Sequence, residues 1–469
     1  MPAVQDLVVA LGGAPPRHLG APDLLVRYTE GPSDLARYRS LRRRVFVEEQ
    51  ELFARTDVDE YDDHPRTIVL VAEDGDGELL GGVRLHPQGE DPELGWWQGG
   101  RLVCGVDSGR GRRGVGAALV RAACAIAELE GALRFDATVQ APREGFFARL
   151  GWERVGETEQ RGIPHVRMRW PIDRIARLVE ETKAPLGALL EPLGQGAGAG
   201  WLGDDGVPVP GSSVVAAVDA IAPAMVARDP EWAGWCGMLV AANDLAAMGA
   251  ERIGALDSVA APDRARVERV LRGVRDGARA FGLPILGGHT QVGAPGALSV
   301  TGLGRAGRPV PGGGGHVGDE VRLTTDLCGG WRPGYTGSQW DSTSGRSATE
   351  IDAMLDTVRR LRPRAAKDVS MAGIAGTLGM LAEASGCGAE LRAADIARPA
   401  GAGLTDWITC FPGFGMLSAD APGVATPSAA PASSAVCGAL TAEPGVRIVW
   451  PDGESTVALA GAATGLGEA

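Results

Sequence analysis

Lysine is almost missing from this chain. Lys183 and Lys367 are the only two, and the other 44 of its 46 basic residues are arginine. A phosphate loop of the GxxxxGK[ST] kind needs a lysine behind its glycines. Neither lysine stands in that setting, so that class of nucleotide site is excluded. The seven cysteines include no CxxC pair, which points away from a zinc knuckle or a disulfide framework and toward reduced, mostly packed thiols. No apolar run of about 18 residues occurs, and residues 1–22 lack a charged stretch leading into an apolar one. Neither a membrane span nor a signal peptide is expected. The formal charge of −13 disfavours nucleic acid and anionic membranes as partners. Together these absences predict a cytoplasmic protein that works on small molecules.

Glycine is plentiful, at 70 of 469 residues. Arginine and alanine are enriched chain-wide beside it, so a glycine-rich motif is less specific here than in an average sequence. The length predicts several domains. Residues 1–22, broken by proline and glycine, read as a flexible lead-in, and residues 23–172 as the first module. Residues 173–200 read as one amphipathic helix and a linker, ending in a glycine-rich flap at 194–200. A new α/β pattern occupies 201–330 and a second half 331–469, the break falling in the Gly/Ser/Thr-rich stretch 330–345.

In the first module, alternation predicts strands at 67–72 and 79–86 around the turn Asp74-Gly75-Asp76-Gly77. A third strand is expected at 101–104, a helix at 115–130, a strand at 133–139 and a short helix within 143–152. The loop Ser108-Gly109-Arg110-Gly111-Arg112-Arg113-Gly114-Val115-Gly116 opens the long helix. Free N–H groups and the positive end of a helix dipole suit a pyrophosphate, glycines let the backbone approach, and arginines add charge. The preceding strand offers backbone to an extended ligand. A dinucleotide site competes for the same loop. It expects an acid about 20 residues on, and Asp136 meets the spacing but sits in mid-strand.

Three stretches then carry a family resemblance across about 25–172. Residues 41–50 read Leu-Arg-Arg-Arg-Val-Phe-Val-Glu-Glu-Gln and are followed by 57–64. Gly114-Val115-Gly116-Ala117 heads a helix. Residues 145–152 read Gly-Phe-Phe-Ala-Arg-Leu-Gly-Trp. This region resembles the GNAT N-acetyltransferases, in particular the subgroup called nitrogen-starvation N-acetyltransferases. The resemblance implies a sheet splayed around acetyl-CoA, with Cys104 and Val106 near the thioester. Arg110, Gly111, Arg112, Arg113, Gly114, Val115, Gly116 and Ala117 would hold the pyrophosphate, and a small amine would be the acceptor. Gly111 stands where the family favours Gln or Arg, and Phe147 where a tyrosine often protonates the leaving thiolate, so no general acid is assigned. Glu48, Glu49 and His86 are the foremost candidates for the base, with Asp59, His64 and Glu93 behind them.

Beyond residue 194, acids recur at the ends of apolar stretches. They are Asp204-Asp205, Asp219, Asn243-Asp244, and Asp368 in Lys367-Asp368-Val369-Ser370, with Gly287-Gly288-His289-Thr290 between. Each alone reads as a helix cap; as a set they can hold magnesium, which favours oxygen ligands shared with phosphate. The order, and above all Asn243-Asp244-Leu245-Ala246-Ala247-Met248-Gly249-Ala250, resembles the PurM/AIR synthase superfamily over about 190–465. The chain is thus expected to be an α/β and α+β multidomain protein with an N-terminal GNAT fold and a two-part PurM-like fold. That second fold implies an α/β N-half dimerising through its sheet, an α/β C-half, ATP, Mg²⁺ and a homodimer. By position Asp204, Asp205, Asp219, Asp244 and Asp368 would hold the metal, Asn243, Gly287 and Gly288 the nucleotide, and His289 would act at the substrate. Two readings follow. The second module activates a carbonyl or amide oxygen by phosphorylation, or it is a non-catalytic nucleotide-sensing or dimerising platform. Met371 stands where the kinase branch has a second Asp. The subgroup resemblance associates both modules with nitrogen or nitrile metabolism.

Overall fold

The computed structural model describes residues 24–105, 114–193 and 200–468. The chain divides into two compact units, Met1–Ile172 and Asp173–Ala469.

The first unit is built on a seven-stranded sheet of β1 (Leu25–Tyr28), β2 (Ile68–Glu73), β3 (Leu79–Pro87), β4 (Trp96–Cys104), β5 (Arg134–Gln140), β6 (Glu153–Gln160) and β7 (Ile163–Trp170), in the order β1-β2-β3-β4-β5-β7-β6. Only β4 and β5 run parallel. Helix α1 (Pro32–Arg42) runs on as a π-helical turn, Arg43–Glu49. Helices α2 (Val115–Leu129) and α3 (Glu144–Ala148) follow. The buried stripe Ala118, Leu119, Ala123, Ile126 and Ala127 of α2 packs on Leu70, Leu85, Trp97 and Phe135. On the other side Tyr38, Leu41, Val45 and Phe46 cover Val69, Val71 and Val103. Strand β4 starts at Trp96, ahead of the expected 101, because Gly99 lets it lie against Phe135, where a Cβ would come within 3.0 Å of that ring. The β6–β7 hairpin was not expected from the sequence, since β6 is charged and mostly exposed.

A buried ion network braces β4. The wholly buried Arg42 donates Nε to Asp57 at 2.7 Å and also binds Asp62. Arg84 holds both oxygens of Asp59, at 2.6 and 2.8 Å. Arg101 donates to the Asp57 carbonyl at 3.0 Å and to Asp59 at 2.9 Å, while its own carbonyl accepts the Tyr38 hydroxyl at 2.7 Å. These bonds hold Arg101 in the left-handed region, φ 53°, at a bulge where the β3–β4 register slips. Replacing Arg42 by methionine leaves the Asp57 and Asp62 carboxylates buried without their main cation. A loss of about 3–5 kcal/mol is expected, read as a lower midpoint in denaturant melts of the first unit.

The second unit opens with α4 (Arg174–Thr182) and α5 (Leu186–Leu190). The sequence implied a linker here. Instead Val179 of α4 packs against Gly376, and the Gly187 amide donates to Thr464 O at 2.8 Å, so the segment belongs to the body of this unit. Then come β8 (Val207–Pro208), β9 (Val214–Ile221), α6 (Pro223–Arg228), α7 (Pro230–Ala247), β10 (Glu251–Ala261), α8 (Arg264–Ala280), β11 (Ile285–Val292) and β12 (Ala297–Arg305). Their strands form a five-stranded sheet, β11-β10-β12-β9-β8, with α7 packed on β9 and β12. Helix α7 meets α8 at Gly273, where a Cβ would lie 1.9 Å from the Glu231 carbonyl, so glycine sets the helix spacing.

The remainder is β13 (Glu320–Thr325), β14 (Gly330–Trp331), β15 (Trp340–Asp341), α9 (Ala348–Leu355), α10 (Thr357–Leu361), β16 (Ala365–Asp368), α11 (Gly373–Ala384), β17 (Gly388–Arg392), α12 (Leu404–Thr409), β18 (Gly415–Asp420), β19 (Ser433–Thr441), β20 (Gly445–Val449) and β21 (Ser455–Leu459). The second sheet runs β16-β18-β13-β19-β17-β20-β21. It already includes β13, so the change of sheet falls between 305 and 320, ahead of the expected break at 330.

Candidate functional sites

In the first unit the β4–β5 ladder pairs only Trp96–Gly99 with Arg134–Ala137. Beyond Gly99 the strands part, and a cavity of about 460 Å³ fills the wedge. Gly100, Leu102, Val103 and Cys104 line one arm of it, and Thr138, Val139 and Gln140 the other. Phe46, Leu52, Phe53, Phe146, Phe147 and Trp152 make it largely apolar. The π-helical turn contributes Val45, Phe46 and Glu49, a backbone irregularity often found at functional sites.

Cys104 and Gly116 of the expected acyl-CoA residues line this cavity; Gly114, Val115 and Ala117 stand with Gly116 at the head of α2. Gly114 caps α2 at φ 102°, a conformation that suits glycine. Val106, Arg110, Gly111, Arg112 and Arg113 lie outside the described residues. Of the base candidates, Glu49 lines the cavity, whereas Glu48 pairs with Arg43 on the surface at 3.1 Å. His86 is not brought to the cavity either. It is buried, stacked on Tyr61 at 3.8 Å between centroids, and desolvation pushes it down to about 4, leaving it a neutral packed ring. Asp59 is spoken for by Arg84 and Arg101. Burial works against its charge, but the Arg84 hydrogen bond holds the carboxyl below the usual range. The sequence reading missed His165, Gln50 and Gln140, which all line the cavity. The β-alternation that carries His165 was hidden because its hairpin was not foreseen.

The second unit gathers three carboxylates. One oxygen each from Asp205, Asp244 and Asp368 lies within 4.8 Å of the others. Asp205 comes from the loop before β8, Asp244 from the last turn of α7 and Asp368 from the end of β16, so both sheets contribute. Asp205 accepts from Lys367 Nζ at 2.6 Å and from the Asp368 amide at 2.8 Å. Lys367 also donates to Gly203 O at 2.8 Å, and only 1 % of its side chain is exposed. Desolvation, then repulsion from neighbouring carboxylates, pushes Asp244 and Asp368 well up. The negative end of the α7 dipole acts on Asp244 in the same sense. Asp219 lies outside the three-carboxylate group, yet its charge is felt at Asp244 and Asp368, and its own carboxyl is raised chiefly by burial. The Lys183 ammonium opposes that rise at Asp219 and Asp368.

Asn243, the single asparagine of the sequence, is fully buried and donates to the Gly413 carbonyl at 2.8 Å, tying α7 to the loop before β18. Gly288 packs on the Asp257 carboxylate, where a Cβ would come within 2.3 Å. Asp257 and Asp219 both pair with Val300 and so share the inner face of the sheet. His289 pairs with Ser258 one residue along and therefore faces the opposite, outer side with Gly287, away from the carboxylates of its own unit. Of the flap, residues 194–199 lie outside the described residues.

Asp204 is pushed up to about 6 from 3.8 by burial, against the pull of Lys367. A raised folded value means the folded state binds the proton more tightly. Stability therefore falls as pH rises from about 4 through 6, and the deficit persists above. Asp204→Asn should raise the melting temperature at pH 8, with the gain shrinking toward pH 4 in a series of thermal melts.

A splayed sheet with a helix heading into the wedge defines an acyl-CoA transferase type of fold, and the acid-bearing pair of sheets a second, separate α/β class. Residues 35–152 match the acetyltransferase (GNAT) family, residues 203–306 the N-terminal domain of AIR synthase related proteins, and residues 342–451 their C-terminal domain. The chain belongs to these families: a GNAT domain fused to a two-part AIR synthase related module.

An uncharacterised protein of Synechocystis is 34% identical over 223 residues, spanning 46% of this chain and 69% of that protein. One of Methanocaldococcus jannaschii is 32% identical over 196 residues, 40% of this chain and 59% of its own length. T. maritima PurL complexed with FGAR superposes with a TM-score of 0.51 at 16% identity, over 63% of this chain and 54% of that one, and shows the fold. Thiamine monophosphate kinase from Aquifex aeolicus covers 57% of this chain and 96% of its own at 19% identity, TM-score 0.44.

Proposed function

We propose that the first unit transfers the acetyl group of acetyl-CoA to a small amine, and that the second binds Mg-ATP and activates a carbonyl or amide oxygen by phosphorylation, within nitrogen or nitrile metabolism. The observation that carries the first half is the parting of β4 from β5 after Gly99. It leaves strand backbone beside an apolar cavity at the head of α2. Backbone freed from a ladder can pair with the pantetheine amides, and apolar walls exclude water from the thioester. Phe147 lines the cavity without a hydroxyl, so the leaving thiolate takes its proton from elsewhere.

Support for the second half is the chemistry of the donor set. Asp205, Asp244 and Asp368 are hard oxygen ligands crowded closely enough to repel one another, which fits a magnesium ion shared with phosphate oxygens. Magnesium bound there would supply charge neutralisation for phosphoryl transfer. The chain's own part is to fix the carboxylates: Lys367 and the Asp368 amide orient Asp205, and Asn243 anchors the end of α7. A platform that binds nucleotide without turnover is favoured by one feature, Met371, a 56 % exposed residue where the kinase branch has an acid.

A homodimer through the five-stranded sheet fits its outer face. Val218 and Leu256 both lie in register with Thr301 there, and both are exposed. Leu256→Glu is expected to convert the dimer to monomer in light scattering; an unchanged mass removes this interface.

Two substitutions separate the units. Gly116→Glu is expected to abolish acetyl-CoA binding in calorimetry, since Gly116 lines the cavity at the head of α2. Asp244→Asn should abolish ATP turnover while sparing acetyl transfer. ATP binding without turnover in the unsubstituted protein, across a panel of amides and carboxylates, selects the platform reading.

A further inference from the structure

His165 lies on β7, in register with Gln140 of β5 on one side and Thr158 of β6 on the other, so the three side chains share a face. His165 and Gln140 both line the wedge cavity, and Gln140 donates to Gln50 across it at 2.9 Å. The Nδ1 atom of His165 lies 2.8 Å from the Ile163 carbonyl oxygen. A carbonyl can only accept, so Nδ1 carries the proton and the neutral ring keeps Nε2 as its basic nitrogen. The strand itself thus fixes the tautomer that a proton acceptor requires.

The other charged or ionisable groups lining the cavity are Glu49, Arg101, Cys104 and Arg143. Glu49 is 39% exposed and faces Arg44 at 4.0 Å. Arg101 is committed to Asp57 and Asp59, and its guanidinium also lies over Phe53 at 4.9 Å. Burial pushes the Cys104 thiol up, which keeps it protonated. Arg143 carries a fixed positive charge. The β6 acids Glu157 and Glu159 flank Thr158 and so point to the other face of the sheet. His165 is therefore the buried group on the cavity wall that combines a basic lone pair with a fixed orientation, among the described residues.

We propose that His165 is the general base of acetyl transfer, taking a proton at Nε2 from the ammonium of an acceptor with an apolar body; this rests on the acetyltransferase reading above. The freed amine nitrogen attacks the thioester carbon. The C–N bond forms, the C–S bond breaks, and the electron pair leaves on the CoA sulfur. The second nitrogen proton passes to that thiolate, and the first is released from His165 to solvent. The phenylalanines and Trp152 of the wall match an aryl or alkyl body better than a highly charged one.

The test uses the full chain, acetyl-CoA and a panel of primary amines that includes 2-phenylethylamine, with CoA release followed from pH 5.5 to 9.5. His165→Gln keeps the neutral hydrogen-bonding character. It should lower kcat at neutral pH by about 100-fold or more, leave the acetyl-CoA Kd within about twofold, and abolish the acid limb that levels off in the kcat/KM profile, the rate instead climbing about tenfold per pH unit with the fraction of free amine. A merely structural role would instead change the acetyl-CoA Kd or the melting temperature and keep the acid limb. Near-normal kcat with an intact acid limb in His165→Gln, together with loss of that limb in Glu49→Gln, overturns the assignment in favour of Glu49. No CoA release from the unsubstituted chain with any amine, despite measured acetyl-CoA binding, overturns the acetyltransferase reading and the assignment with it.

Discussion

A polar group buried without a partner is costly, and both sites depend on the fold confining that cost to one place by pairing everything around it. In the first unit the interrupted β4–β5 ladder leaves strand backbone beside an apolar hollow. Only a rigid frame keeps the strands from closing up. The frame is the lattice of Arg42, Arg84 and Arg101 with Asp57, Asp59 and Asp62, which also holds Arg101 in its left-handed turn. In the second unit the same logic appears with charges. Three carboxylates are crowded together, and one of them is fully engaged by Lys367 and a backbone amide. The two that remain are pushed toward protonation by burial and by the carboxylates around them, Asp205 and Asp219 among them. A site in that condition gains from any divalent cation that enters.

The two families were legible in the sequence because their signatures are local. The stretch Gly114–Ala117 opens α2, and Asn243–Ala250 closes α7, each within one turn and one helix end. Spacing along a single element survives folding unchanged, so it can be read without knowing the fold. The acid cluster is a different case. Asp368 lies more than a hundred residues beyond Asp205 and Asp244, and nothing in their spacing brings the three together. Their juxtaposition was reachable only through the family resemblance.

What was not legible depended on strand pairing. His165 sits in a hairpin whose outer strand, Glu153–Gln160, is too charged to show an apolar alternation, and an edge strand has no need of one. Asp257 and His289 show the same point from the other side. The sequence reading puts His289 at the substrate and does not single out Asp257. Register alone sends Asp257 inward with Asp219 and His289 outward with Ser258. A side-chain period of two turns a one-residue difference into opposite faces of the sheet, and single-sequence reading cannot fix that phase. The segment 173–193 was misjudged for a related reason: prolines and glycines suggest a linker, but Gly187 and Val179 serve close packing on the second unit.

The scarcity of lysine acquires a physical meaning at the acid cluster. Both lysines act there: Lys367 is bonded to Asp205 and Gly203, and the Lys183 charge is felt at Asp219 and Asp368. A guanidinium carries five N–H donors in a wide plane, whereas an ammonium carries three on one compact atom. At the Lys367 position the side chain is all but sealed from solvent and two acceptors lie within 2.8 Å of Nζ. An arginine in that space would bring N–H groups with nothing to accept them, and its breadth would push Asp205 away from Asp244 and Asp368. Arginines span the grouped carboxylates Asp57, Asp59 and Asp62. At Asp205 a lysine holds one carboxylate of the group, and its compact head leaves the bonds of Asp244 and Asp368 untouched.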